Sequence, residues 1–185
     1  MLSSGCADSA PAKGPDVSTA LIIDGYNVIR TAERYAVIAE RDLDTARAML
    51  ISDVSAYAFG SHDATVVFDG AKNPESDGTP HQVAGVDVIF SPYGKDADSI
   101  IEELAGRFRG AGGDVIVVTS DSQTQWVVLG QGATRVSSAQ FVADLSEGAS
   151  EMLEHTPSGE MRSTLDQRID KATRDALARW ARGKK

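Results

Sequence analysis

Short apolar runs alternate along this chain with longer segments in which apolar residues recur every three or four positions. The runs ALIIDG (20–25), ATVVFDG (64–70), VDVIF (86–90) and DVIVVTSD (114–121) are typical of strands buried on both faces. The other segments have the spacing of amphipathic helices. The alternation predicts a three-layer, Rossmann-like α/β fold with a mainly parallel central sheet. Helices are expected at about 44–59, from 96 to the glycines at 110–113, at 122–129, 139–150 and 160–182, with a short strand at 133–136.

Acidic residues stand at the ends of these elements. Asp24, Asp69 and Asp121 each end or follow a predicted strand. Asp98 lies at the opening of the helix that begins near Asp96. Because the carboxyl ends of parallel strands face one crevice, carboxylates placed there converge although they are far apart in sequence. Such carboxylates repel one another unless a cation lies between them, so the pattern predicts a divalent metal site and phosphate chemistry.

Each acidic position also has a purely structural interpretation. DGYN at 24–27 consists largely of turn-forming residues and fits a strand-to-loop turn. Asp96 and Asp98 do not share a helix face, so either one caps the helix while the other points at the crevice, or both are ordinary acids of a first turn. Asp121 fits a helix cap. The second strand–Asp–Gly sequence, FDG at 68–70, favours the functional interpretation.

The composition is that of a soluble globular protein, with 42% hydrophobic and 24% charged residues in a chain of 185. We expect a disordered leader (1–19), one domain (20–150) and a basic amphipathic C-terminal helix (151–185). A net charge of −9 ordinarily argues against a nucleic-acid partner, but residues 160–185 carry +4 and the rest −13. Carboxylates of a metal site account for part of that excess. The last helix fits a solvated face, a dimer face or a cap on the sheet, so the oligomeric state stays open.

Several function classes are excluded by what the sequence lacks. The single cysteine, Cys6, excludes a disulfide framework within the chain. No apolar stretch is long enough to span a membrane and no signal peptide is recognisable, so the expected location is the cytoplasm. There is no Walker loop, GxSxG or HExxH motif. The histidines have no ligand-like spacing and are expected in surface turns and loops: His62, His81 and His155.

The order DGYN (24–27), FDG (68–70), ADSI (97–100) and TSD (119–121) resembles the NYN domain of the PIN-like nuclease superfamily, most closely its YacP-type bacterial branch. ARAMLI at 46–51, SDSQTQW at 120–126 and GQGA at 130–133 add to the likeness, which covers about residues 20–150. The resemblance implies a PIN-like fold and a metal-dependent ribonuclease. A ribosome-associated, mRNA-cleaving role is known for some members of this branch, so RNA and the ribosome are the expected partners. Carried over residue by residue, the acidic site falls on Asp24, Asp69, Asp98 and Asp121, with Asn27 beside them.

The expected reaction is endonucleolytic hydrolysis of RNA with Mg²⁺ or Mn²⁺, because hard cations prefer oxygen ligands. Asn27 would orient a carboxylate or the phosphate, and Ser120 would hold a phosphate or a water. Two other functions stay open. One is a non-catalytic RNA- or ribosome-binding module, and the other is a metal-dependent phosphohydrolase of a small phosphate ester. The cations that flank the same loops are candidates for contacts with the RNA backbone: Arg30, Arg47, Lys72, Lys95 and Arg135.

Overall fold

A central sheet organises the molecule, of which the computed structural model describes residues 19–120, 133–154 and 171–182. Its six strands are β1 (Thr19–Asp24), β2 (His62–Phe68), β3 (His81–Val83), β4 (Val86–Phe90), β5 (Val115–Val118) and β6 (Thr134–Val136). They lie in the order β3-β4-β2-β1-β5-β6. Neighbouring strands are parallel, except that β3 pairs antiparallel with β4.

The middle strand, β1, is buried from Ala20 to Asp24. Leu21 and Ile23 belong to one hydrophobic core, and Ala20 and Ile22 belong to a second. This division follows from the two-residue period of a strand, whose successive side chains point to opposite faces. Burial on both faces explains why the run is apolar at each position before Asp24. Because β1 pairs with β2 on one side and β5 on the other, the carboxyl ends of the three strands lie side by side.

Helices cover both faces of the sheet. On one face lies the fourth helix, whose Ile101 and Leu104 share a core with Ile22. The other described helices supply side chains to the core on the opposite face, among them Leu50 and Phe141. This arrangement confirms the predicted three-layer α/β fold with a mainly parallel sheet. The helices are α1 (Gly25–Thr31), α2 (Glu33–Ala39), α3 (Leu43–Ala58), α4 (Ala97–Gly110), α5 (Ser138–Glu154) and α6 (Lys171–Ala181).

The segment after β1 is helical, whereas DGYN also fitted a strand-to-loop turn. The chain enters α1 at Gly25 without an intervening loop, and α2 follows after a break at Ala32, where φ is −97° and ψ is 116°. Val28, Ile29 and Tyr35 are buried. Their spacing is helical, but the break divides the pattern into two short pieces that periodicity alone does not reveal.

The expectation that His62 and His81 lie in surface turns and loops was wrong. His62 begins β2 and stacks on Tyr57 with ring centroids 5.8 Å apart. His81 begins β3, a strand that was not predicted, and stacks on Trp180 of α6 at 4.1 Å. Both histidines are half-buried. His155 lies outside the described residues.

The described part of the C-terminal helix packs on the domain. Leu177 of α6 is fully buried in the same core as α3. Asn73 donates through Nδ2 to the carbonyl oxygen of Ala181 at 2.8 Å. Nη1 of Arg182 lies 3.8 Å from Oδ2 of Asp44. These contacts favour the interpretation of the helix as a cap on the fold.

Parts of several predicted elements lie outside the described residues: most of the leader, the short helix at 122–129 and the first half of the helix at 160–182. Within the described ranges, no helix combines the length and the apolar character needed to cross a membrane.

Candidate active site

Asp24 occupies the junction between β1 and α1. It is 7% exposed, and its Oδ1 accepts a hydrogen bond from the backbone N–H of Asn27 at 2.9 Å, which caps α1. The residue that follows must be glycine, because a Cβ on Gly25 would lie 2.3 Å from Cε1 of Phe68. The glycine therefore serves close packing of the aromatic ring beneath the site. Strand, cap and ring together hold the Asp24 carboxylate in one place.

The two acids at the start of α4 have different environments. Asp96 is exposed and caps the helix, with its Oδ1 accepting from the N–H of Ser99 at 2.9 Å. This side-chain and backbone bonding to Ser99 lowers the pKa of Asp96. Asp98 is half-buried, and its Oδ1 is fully buried without a hydrogen-bond partner among the described residues. Of the two interpretations the sequence left open, the structure has the one in which Asp96 caps the helix and Asp98 is turned inward.

Asp24 and Asp98 interact electrostatically. Burial raises the pKa of Asp24, the N–H of Asn27 opposes that rise, and the charge of Asp98 adds to it. Arg30 acts in the opposite direction but more weakly than Asp98. The carboxylates of Asp24, at the end of β1, and Asp98, in α4, are thus near enough for one to raise the pKa of the other. The described residues hold no group of three acids, histidines or cysteines with the geometry of a metal site.

Asp69, which follows β2, is exposed and takes part in a turn. Its Oδ1 accepts from the N–H of Ala71 at 2.8 Å. Gly70 packs so closely that a Cβ there would lie 2.4 Å from the carbonyl oxygen of Ser91. Because β1 and β2 are parallel neighbours, Asp69 stands at the same edge of the sheet as Asp24. Its hydrogen bond to Ala71 also gives it a local role in shaping the loop after β2.

A hydrogen-bond chain through buried Ser138 connects Asn27 to Ser120. The hydroxyl of Ser138, which is fully buried, donates to Oδ1 of Asn27 at 2.9 Å. The backbone N–H of Ser138 donates to Oγ of Ser120 at 3.1 Å. The cap of α5 is the neighbouring Ser137, whose Oγ accepts from the N–H of Gln140 at 3.2 Å. The pair of adjacent serines was the sequence signal for this contact: only one of them can cap the helix, so the other is available for a different partner.

Two of the three candidate arginines, Arg30 and Arg47, lie in contrasting places. Arg30 is exposed, and its Nε donates to the carbonyl oxygen of Tyr26 at 3.2 Å. Arg47 is buried, its Nε donates to the hydroxyl of Tyr26 at 3.1 Å, and its Nη1 pairs with Asp44. Its guanidinium carbon also lies 5.8 Å from the centre of the Phe68 ring. Arg47 thus has protein partners that tie α3 to α1, and Arg30 is the one that solvent reaches.

A family comparison matches residues 21–182 to the YacP-like NYN domain. The chain belongs to this family. The match continues well beyond residue 150, where the resemblance was expected to end, and it includes α6. The C-terminal helix is therefore part of the family's domain.

One curated relative and two crystal structures agree with this assignment. The protein YacP of Bacillus subtilis (strain 168), described as uncharacterized, is 28% identical over 167 residues, which cover 89% of this chain and 86% of the relative. The crystal structure of Rae1 (YacP) from Bacillus subtilis superposes with a TM-score of 0.62 at 26% identity, covering 89% of this chain and 95% of that one. A tryptophan-to-leucine mutant of the same protein gives a TM-score of 0.63 at 25% identity, covering 86% and 98%.

Membership of the NYN family supports a nuclease-type, RNA-related function. The acids that the resemblance selected differ in their surroundings where the structure describes them. Asp24 and Asp98 converge, Asp69 stands nearby on the same edge with one oxygen in a turn, and Asp121 lies outside the described residues. The described segment that begins at residue 19 ends at Ser120, the residue before Asp121.

Proposed function

We propose that this NYN domain is an Mg²⁺- or Mn²⁺-dependent endoribonuclease that hydrolyses RNA phosphodiester bonds. The observation that carries the proposal is the buried Oδ1 of Asp98, which has no hydrogen-bond partner among the described residues and belongs to a carboxylate that interacts electrostatically with buried Asp24. Buried acids are ordinarily paired or coordinate a metal. Family membership supports RNA as the substrate.

The residues present fit a hard cation, since such ions take oxygen ligands and Mg²⁺ commonly uses one or two carboxylates plus water and substrate phosphate. Asp24 and Asp98 would hold the ion directly. Asp69 and Asp121 would complete the site, Asp69 through Oδ2, because its Oδ1 already accepts from Ala71. Bound there, the cation would stabilise charge on the phosphodiester oxygens and activate water for hydrolysis.

The remaining roles belong to side chains that the fold already orients. Asn27 is held on both sides, by Asp24 through its backbone N–H and by Ser138 through its Oδ1, which leaves its Nδ2 to donate to a phosphate oxygen. Arg30 is exposed one helical turn further along α1 and would neutralise a phosphate of the bound strand. Such positioning of substrate and charge is a large part of phosphodiester hydrolysis.

The experiment that tests this function compares two aspartates of one helical turn. Metal-loaded wild type, Asp98→Asn and Asp96→Asn are incubated with single-stranded RNA and with a small phosphate monoester. We expect Asp98→Asn to lose more than about 100-fold in cleavage, since even partners one shell removed from a metal are worth 10–100-fold. Asp96→Asn should cleave as wild type, because asparagine caps a helix about as well as aspartate.

The outcomes separate the alternatives. Chelator should stop RNA cleavage by the wild type, and returning Mn²⁺ should restore it. RNA binding without cleavage would replace the proposal with a non-catalytic binding module. Turnover of the monoester alone would replace it with a small-ester phosphohydrolase. Association with the ribosome stays a prediction, which cosedimentation with ribosomes would test.

A further inference from the structure

The loop that follows β4 presents an aromatic ring at the same edge of the sheet as the acids. Tyr93 lies three residues after the end of β4 and five before Asp98, and it is 62% exposed. β4 is separated from β1 by β2 alone. Strand spacing is about 4.8 Å, so the end of β4 lies roughly 10 Å from the end of β1, where Asp24 stands. Tyr93 therefore lies in a loop that leaves the same edge of the sheet as the candidate site, and no catalytic role accounts for it.

This loop is held firmly by its neighbour. The backbone N–H of Tyr93 donates to the carbonyl oxygen of Ser76 at 3.0 Å, and that of Gly94 donates to Ala71 at 3.1 Å. The hydroxyl of Ser76 donates to the carbonyl oxygen of Ser91 at 2.8 Å, and both serines are buried. The loop after β2 and the loop after β4 thus form one unit. The backbone that carries the exposed ring is therefore already held in place, which lowers the conformational entropy lost when a ligand binds there.

The surroundings of the ring are polar and partly cationic. Lys72 is exposed on the loop after β2, next to Ala71, whose carbonyl oxygen accepts from the N–H of Gly94. Lys95 is two residues from Tyr93, with its ammonium 3.7 Å from a carboxylate oxygen of Glu103 in an exposed pair. Exposed aromatic rings beside basic side chains are the elements with which proteins bind single-stranded nucleic acid, by stacking bases and contacting phosphates.

We propose that Tyr93 is a stacking platform for an unpaired base of the RNA strand, adjacent to the phosphate at the Asp24–Asp98 pair. The inference deepens the proposed function and rests on it for the identity of the ligand. A base stacked on this ring would fix the strand in the crevice without reading its sequence, because every base has an aromatic face. The expected specificity is therefore for single-stranded over fully paired RNA at this position.

The chain contains a matched control. Phe59 is 90% exposed and follows α3, close to where β2 begins, which is the opposite edge of the parallel sheet. Removing its ring changes exposed aromatic surface by a similar amount, away from the site. Tyr93→Phe is the second control, since it keeps the ring and removes the hydroxyl.

The experiment measures the affinity of metal-free protein for a short single-stranded RNA in chelator, so that binding is read without cleavage. We expect Tyr93→Ala to bind about ten-fold more weakly, and Tyr93→Phe and Phe59→Ala to bind as wild type. With the fluorescent base 2-aminopurine scanned along the RNA, one position should be quenched by wild type and Tyr93→Phe but not by Tyr93→Ala. Equal affinities for wild type and Tyr93→Ala, an equal loss in Phe59→Ala, or no RNA binding by wild type would each overturn the inference.

The inference and the proposed function fail separately. If the wild type binds RNA in a Tyr93-dependent way but never cleaves it with any divalent metal, the nuclease proposal falls and the platform stands. If the wild type cleaves RNA and Tyr93→Ala has the KM of wild type, the platform falls and the nuclease stands.

Discussion

Two groups of acids in the described part of the chain are shielded from solvent and have different surroundings. Asp53 of α3 is half-buried, and it accepts from the hydroxyl of Tyr35 of α2 at 2.6 Å and from Nη2 of Arg34 at 2.9 Å. The guanidinium of Arg34 also lies 4.5 Å from the centre of the Tyr35 ring. Asp24 accepts a backbone N–H and has as its neighbour another acid, Asp98, one of whose buried oxygens lacks a described partner.

The electrostatic consequence differs accordingly. Burial raises the pKa of both Asp53 and Asp24. At Asp53, Tyr35 and Arg34 oppose the rise with a hydrogen bond and a positive charge. At Asp24, the charge of Asp98 adds to it. The first arrangement is complete within the protein and contributes to its stability. The second leaves like charges together, which a folded protein retains at a binding or catalytic site where a ligand completes it.

The largest expected effect comes from making Asp24 neutral. Asp24→Asn keeps the shape of the side chain and the helix cap, and removes one of the two charges. We expect RNA cleavage with saturating Mn²⁺ to fall by more than about 100-fold. In chelator the same variant should melt at a higher temperature than wild type, because the repulsion with Asp98 is gone. Single-turnover cleavage and calorimetry measure the two effects.

The pH dependence of the metal-free protein sharpens this test. The pKa of Asp24 in the folded state lies above its usual value of 3.8, so the folded state binds the proton more tightly than the unfolded state does. That stabilising contribution is complete below pH 3.8 and is lost as the pH rises through the folded-state pKa. The stability advantage of Asp24→Asn over wild type should therefore grow with rising pH in this window. A variant that is less stable than wild type at neutral pH would show that the acidic pair does not destabilise the fold.

Replacing Asp53 should lower the stability of the fold, whereas replacing Asp24 should raise it. Asp53→Ala leaves the buried hydroxyl of Tyr35 and the guanidinium of Arg34 without their acceptor. We expect the free energy of unfolding to fall by about 1–3 kcal/mol, the usual cost of an unsatisfied buried donor. Urea denaturation measures it. Cleavage by the fraction that is folded should be unchanged, and a large loss of kcat in fully folded protein would contradict the division between the two regions.

The sequence pointed to the acidic candidate site but not to the environment of Asp53. Strand ends were predictable because runs such as 21–23 and 66–68 are continuous and apolar, and parallel pairing then places Asp24 and Asp69 on one edge. The inward turn of Asp98 was left open, because two acids in a first helical turn look alike until one of them is seen to bond Ser99.

What escaped prediction depends on contacts between distant segments. DGYN at 24–27 also fitted a strand-to-loop turn, yet at Gly25 it is the ring of Phe68 that excludes a side chain. Arg47 was a candidate for RNA contact, and its role in the structure follows from the hydroxyl of Tyr26 and the carboxylate of Asp44. Such partners come from other elements, which periodicity and local propensity do not specify.

The smallest effect we expect comes from the serine pair at the start of α5, and it tests whether the site extends to Asn27. Ser138→Ala removes the hydroxyl that donates to Oδ1 of Asn27, whereas Ser137→Ala removes the helix cap on Gln140. Ser138→Ala should lower kcat for RNA cleavage about ten-fold, as loss of a supporting hydrogen bond behind a site commonly does. Ser137→Ala should cost about 1 kcal/mol of stability and leave kcat unchanged. Ser138→Thr, which keeps a hydroxyl, should recover part of the lost rate. If both alanine variants change stability alone, Asn27 serves the fold and the catalytic region ends at the two acids.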